Sequence, residues 1–116
     1  MNLTDRQLDR VFHALADTTR RQILEQIQTG ELTVSEIAEA HHMSFPAITK
    51  HLGVLEEAGL LKRKKMGRKR LCRVERARLT EALNWLKVYQ DYWGDQLDNL
   101  KTFIETHQHV ETKSDE

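Results

Sequence analysis

With a single cysteine, Cys72, the chain can close no internal disulfide and cannot supply the thiolate set of a structural zinc site. No run of about 18 apolar residues occurs, and residues 1–6 lack the apolar stretch of a secretion signal. A membrane span and export are thereby left out, and the expected location is the cytoplasm. Also missing are a glycine-rich phosphate loop, a serine set beside a histidine and a carboxylate, and a compact pair of carboxylates. Neither enzymatic activity nor a cofactor is expected. Net charge is absent too, since 18 lysines and arginines balance 18 aspartates and glutamates. Domains that bind nucleic acid are usually basic overall, so the balance alone points away from such a partner.

The distribution of charge reverses that reading. Between Lys62 and Arg73 stand eight basic residues and no acidic one, while residues 1–61 and 74–116 each carry five basic and nine acidic side chains. A neutral chain with one concentrated cationic patch can hold phosphates locally, and its acidic remainder limits indiscriminate adhesion. The length, 116 residues, suits one domain with one modest core, expected over 1–107 with a polar, disordered tail at 108–116.

Local signals divide the chain into five helices and a hairpin. Thr4-Asp5-Arg6-Gln7 matches a capping box ahead of Leu8, Val11, Phe12 and Leu15, which predicts a helix over 5–16. Asp17 caps a second helix carrying Ile23, Leu24 and Ile27, which Gly30 is expected to close through a positive φ. Leu32-Thr33-Val34 reads as a short β-prone link. A brief helix then starts from a Thr33 or Ser35 cap and turns Ile37, Ala38 and Ala40 inward. Met43 fills the following turn from below. Ser44 or Phe45 caps a fourth helix with Pro46 in its first turn, where a missing N–H costs nothing. Ile48, Leu52 and Leu55 form its buried face before Ala58-Gly59 ends it. Residues 61–65 and 69–74 pair around Met66-Gly67-Arg68 as a hairpin. From Ala77 to Thr106, Leu79, Leu83, Leu86, Trp93, Leu97, Leu100 and Ile104 recur four and three apart in one long amphipathic helix, with Gln90 its one polar insertion.

A short helix, a tight turn and a second helix with one apolar and one small-polar face form the geometry that enters a major groove. With Ile48, Leu52 and Leu55 committed to the core, helical spacing turns Phe45, Pro46, Thr49, Lys50 and Gly53 outward. Lys50 suits guanine O6 and N7 or a phosphate, Thr49 either, and Phe45 a thymine methyl, while Gly53 admits close backbone approach. Ser44 and the first helical N–H groups suit a phosphate, and His51 is half-buried or touches one. Lys64, Lys65, Arg68, Lys69 and Arg70 of the hairpin are expected against the flanking backbone or in the minor groove.

Four segments carry a family resemblance: Asp17-Thr18-Thr19-Arg20-Arg21-Gln22-Ile23-Leu24, Leu32-Thr33-Val34-Ser35-Glu36-Ile37-Ala38, Met43-Ser44-Phe45-Pro46-Ala47-Ile48-Thr49-Lys50-His51-Leu52, and Leu55-Glu56-Glu57-Ala58-Gly59-Leu60. In that order and spacing the chain resembles the ArsR-type bacterial repressors over about residues 5–106. The resemblance implies a mainly α fold with a small β-hairpin, a winged helix-turn-helix, that dimerises through its first and last helices. It implies a homodimeric repressor on a palindromic duplex DNA operator, with a seam from Leu8, Val11, Phe12, Leu79, Leu83, Leu86, Trp93, Leu97, Leu100 and Ile104. The cysteine pair of metal-sensing members has no counterpart between Thr33 and His41, and residues 77–106 hold no histidine. Asn84-Trp85-Leu86, Tyr92-Trp93 and Leu97-Asp98-Asn99-Leu100 are similar to a metal-independent branch of the family, whose effectors are mostly unassigned.

Other uses of the same residues weigh less. Trp85, Tyr89, Tyr92 and Trp93 are read as packing or dimer seam before ligand cavity. His41-His42 and His107-x-His109 bring no third metal ligand from nearby sequence. Cys72 is a small apolar filler before it is a thiol switch. The alternatives are a winged-helix protein–protein docking module and a metal- or thiol-responsive repressor.

Overall fold

The computed structural model describes the backbone of residues 3–115 and the side chains of residues 3–107. The elements run α1 (Asp5–Leu15), α2 (Thr18–Ile27), β1 (Leu32–Thr33), α3 (Val34–Ala40), α4 (Phe45–Glu57), β2 (Leu61–Met66), β3 (Lys69–Val74) and α5 (Ala77–Asp115). They fall into two compact units, Met1–Ala82 and Leu83–Glu116.

Short polar side chains start four of the helices. Thr4 and Gln7 close the capping box of α1 with reciprocal bonds of 3.1 and 3.0 Å, and Thr33 and Glu36 do the same for α3. Asp17 accepts the Arg20 N–H at 3.0 Å to begin α2. Ser44, extended at φ −65°, accepts from Ala47, which makes it the cap of α4 and Phe45 the first helical residue. At its far end α4 closes in a Schellman motif. Gly59, at φ +74°, donates to Glu56, and Leu60 donates to Leu55. Leu55 and Leu60 are both fully buried, so the cap also seals part of the core.

The core of the first unit gathers one stripe from each helix: Val11 and Ala14, Ile23 and Ile27, Val34 and Ile37, Ile48, Leu52 and Leu55, with Cys72 from the sheet. Met43 packs against this cluster from the turn. The sheet has three strands in the order β1-β3-β2, since Leu32 and Thr33 pair antiparallel with Cys72 and Leu71. The expected hairpin thus gains a third strand from the expected link. Between β2 and β3 the register sets Lys65 against Arg70 and Met66 against Lys69, which leaves a two-residue loop. Gly67 opens that loop at φ +64°, as a tight turn with glycine first requires.

Four local expectations are corrected. Gly30 does not take a positive φ, and α2 ends at Ile27 with Gln28 as its cap; a left-handed residue comes only after α3, at His42, φ 52°. Ala40 is exposed, because at 100° per residue it falls off the stripe that Val34, Ile37 and Ala38 turn onto the core. Val11 is fully buried within the first unit, so it is a core residue and not a seam residue; Leu8 and Phe12 beside it are half-buried. The last helix runs to Asp115, past the expected 106. The tail expected at 108–116 falls where the side chains, and at 116 also the backbone, lie outside the described residues.

In the second unit α5 presents Leu83, Leu86, Trp93, Leu97, Leu100 and Ile104, each between 42% and 60% exposed. Within α5 the Trp85 and Tyr89 rings lie 4.5 Å apart, and Tyr92 meets Trp93 edge-on at 5.6 Å.

Candidate nucleic-acid interface

The exposed side of α4 follows from which side is buried. Ile48, Leu52 and Leu55 are fully buried, and with 100° between successive residues Pro46 and Lys50 emerge exposed on the other side; Phe45, seven residues ahead of Leu52, is exposed because it stands at the first position of the helix. Ser44 is exposed at the cap. Gly53 is half-buried, and a Cβ built on it would meet nothing within 4 Å. The fold itself therefore does not require glycine there. Thr49 stands differently from the sequence expectation: it is half-buried, and its Oγ1 is buried and makes no hydrogen bond. To reach a groove its hydroxyl must rotate outward, which removes an unpaired buried polar atom that costs about 1–3 kcal/mol.

The hairpin brings its cations to the same side. Lys64, Lys65, Arg68, Lys69 and Arg70 are all exposed. Arg68, Lys69 and Arg70 join Phe45 and the start of α3, Thr33 to Glu36, around a groove of about 390 Å³. A smaller one of about 260 Å³ lies among Glu56, Arg63, Lys64, Lys65 and Arg70. Six expected site residues, Phe45, Lys64, Lys65, Arg68, Lys69 and Arg70, thus line one groove or the other.

Two arginines do work that the sequence did not disclose. Arg63, counted in the basic run, is turned inward and gives Nε and Nη2 to Glu56 Oε1 at 2.9 and 2.6 Å, tying β2 to α4. That hydrogen bond holds the guanidinium proton more firmly than usual. Arg20 sits between three helices. Its Nε donates to the Ala14 carbonyl at 2.8 Å, Nη2 to the His13 carbonyl at 3.0 Å, and Nη1 reaches His51 Nδ1 at 3.3 Å. Asp17 Oδ2 lies 3.8 Å from the same Nδ1, its carboxyl held below the usual range first of all by the Arg20 backbone N–H. His51 is therefore half-buried with one ring nitrogen engaged inside the protein.

His41 Nε2 is bonded to Gln26 Oε1 at 2.8 Å, and the side chain of His109, from the other histidine pair, lies outside the described residues. The thiol alternative meets local chemistry that opposes it. Cys72 is fully buried, and burial pushes its thiol up to about 11. The thiolate is the reactive form, so at pH 7–8 the folded chain should leave Cys72 untouched by iodoacetamide for hours. Mass spectrometry checks this. Alkylation within minutes, without denaturant, would contradict the burial.

The family model for bacterial regulatory proteins of the arsR family matches residues 17–63, from the cap of α2 into β2. The transcriptional repressor SdpR of Bacillus subtilis is 32% identical over 79 residues, covering 68% of this chain and 88% of that protein. A crystal structure of an ArsR family transcriptional regulator superposes with a TM-score of 0.74 at 38% identity, over 81% of this chain and 97% of the other. The solution structure of a homodimeric winged helix-turn-helix DNA-binding domain from Mycobacterium bovis gives a TM-score of 0.61 at 28% identity, over 78% and 90%.

Proposed function

The chain belongs to the arsR family of bacterial regulatory proteins, and from that membership we propose that it is a DNA-binding transcriptional regulator, a repressor that holds a two-fold operator as a homodimer. The observation that carries this reading is the two-sidedness of α4. One face is fully buried and the other offers Pro46 and Lys50, while Phe45 at the start of the helix lines a groove with Arg68, Lys69 and Arg70. A helix so mounted enters a major groove, and cationic strands beside it hold the sugar–phosphate backbone. Gly53 supports the reading: a glycine inside a helix costs about 1 kcal/mol relative to alanine, and here nothing in the fold repels a Cβ. The close neighbour it admits comes from outside the chain.

The operator contacts divide by chemistry. Lys50 reads base edges, Ser44 and the α4 N-terminus fix register on a phosphate, and Lys64, Lys65, Arg68, Lys69 and Arg70 supply affinity that is independent of sequence. The dimer seam lies along α5, through Leu79, Leu83, Leu86, Trp93, Leu97, Leu100 and Ile104, with Leu8 and Phe12 of α1; α5 repeats apolar residues at the spacing that pairs helices. Among the described residues no helix is long and apolar enough to cross a membrane, and the repressor works in the cytoplasm.

Mutation of reader and wing tests this division on a duplex selected from a random library. Lys50→Ala is expected to weaken the selected duplex about 10-fold to 100-fold and a random duplex of equal length by less than about threefold. Arg68→Ala with Arg70→Ala should weaken both alike and flatten the salt dependence by about two phosphates. Equal losses on both duplexes from both substitutions would overturn the assignment.

A further inference from the structure

His51 is followed by the buried Leu52 and preceded by the exposed Lys50, so it stands on α4 at the edge between core and solvent. Its side chain keeps 20% of its surface exposed. One ring nitrogen, Nδ1, faces the Arg20 guanidinium at 3.3 Å. An arginine is always protonated and has only donors, so the contact is a hydrogen bond only when Nδ1 carries no proton. The Asp17 carboxylate, at 3.8 Å, stands beyond hydrogen-bond reach of the same nitrogen, while the Arg20 guanidinium is within it. Arg20 itself is fixed by two further bonds to the carbonyls of His13 and Ala14 at the end of α1. The neutral imidazole is thereby held with its proton on Nε2, its one remaining polar atom.

We propose that Arg20 is a positioning residue that sets the tautomer of His51, and so turns His51 Nε2 on α4 into a hydrogen-bond donor for a phosphate oxygen of duplex DNA. The proposal rests on the DNA-binding reading above and adds a contact of different chemistry. A phosphate oxygen only accepts. The Nε2–H tautomer fits it, and the other tautomer would set a lone pair against it. Because neutral His51 brings no charge, the contact releases no counterion, unlike those of the hairpin cations.

Two measurements on the full-length protein test this. In protein labelled with ¹⁵N-histidine, long-range ¹H–¹⁵N correlation at pH 8 should show the His51 proton on Nε2 in the wild type and a mixture of tautomers in Arg20→Met. Binding is read on the selected duplex and on a random one. His51→Leu should weaken both by about fivefold to 10-fold without changing the salt slope, and His51→Gln, whose amide N–H reaches the level of Nε2, should recover to within about threefold of wild type. Arg20→Met should lose less than His51→Leu, about twofold for an even mixture of tautomers, because only the Nε2–H share binds. Arg20→Met combined with His51→Gln should bind as His51→Gln does alone, since a glutamine amide needs no tautomer, and that equality also shows that the Arg20→Met loss is not one of folding.

A proton on Nδ1 in the wild type, or a His51→Leu variant that binds as tightly as wild type, overturns the proposal, as does failure of the glutamine to rescue. If the wild-type protein binds no duplex at all, the DNA-binding reading fails with it; if only His51→Leu is silent, the fault is confined to this contact.

Discussion

Replacing Leu86 and Leu97 together by glutamate is expected to leave a folded monomer whose affinity for a two-fold operator has fallen by 100-fold or more, through loss of avidity. Both side chains are exposed in the single chain, so the substitutions remove nothing from its own core. In a dimer each leucine buried at the seam contributes about 1–2 kcal/mol, and each glutamate there must be stripped of water. Four such positions, two from each copy, exceed what a seam of this length can offset. Binding by two half-sites draws on the high effective concentration of the second reader once the first is seated. A monomer loses that gain and keeps only its single half-site affinity. Sedimentation equilibrium should give the mass of one chain, and circular dichroism should retain the helix signal of the wild type. A dimer that persists at micromolar concentration would remove α5 from the interface.

The largest effect on folding is expected at Gly59. At φ +74° a side chain costs about 1–2 kcal/mol from the backbone alone, and a β-branched one costs more. In addition a Cβ there would fall 2.5 Å from Arg78 Cδ and 2.8 Å from its Nε, so that side chain must swing away. Gly59→Val should therefore lower the melting temperature by about 10 °C or more, taking about 4–8 °C per kcal/mol for a unit of this size. The double variant Gly59→Val, Arg78→Ala should recover only the smaller steric share. Gly67 gives the comparison: its φ is +64° but nothing lies within 4 Å, so Gly67→Ala pays the backbone cost alone. If Gly59→Val melts like Gly67→Ala, the packing of Arg78 over the turn is unimportant.

Much of this architecture was legible because its signals are local. A threonine, aspartate or serine three residues ahead of an N–H that needs a partner marks a helix start wherever it occurs, and Thr4, Asp17, Thr33 and Ser44 all serve so. The buried trio of α4 and the turn at Gly67 follow from periodicity and from the one residue that tolerates a positive φ. What escaped depends on partners far away in sequence. The pairing of Leu32 and Thr33 with β3 spans about 40 residues and leaves no mark on a two-residue strand. Arg20 reaches His51 across 31 residues, and neither side chain alone announces the other.

Charge was the least reliable guide, since Arg63 and Arg70 read alike in the basic run, yet one is bonded to Glu56 and the other is exposed. Alternation along β2 was the available signal, for Arg63 lies two residues from the buried Leu61 and opposite the buried Cys72. Val11 shows the same difficulty in the apolar stripe of α1: periodicity says that a face is buried, not whether its own chain or a second copy buries it.

Whether the exposed face of α4 reads a duplex by sequence is decided by titrating the unmodified protein against the best duplex from a random library and against a scrambled duplex of the same length, between about 50 and 200 mM salt. The selected duplex is expected to be held about 1,000-fold tighter or more at about 150 mM, with both affinities falling steeply as salt rises. Equal affinity for the two duplexes and for heparin across that range would contradict it.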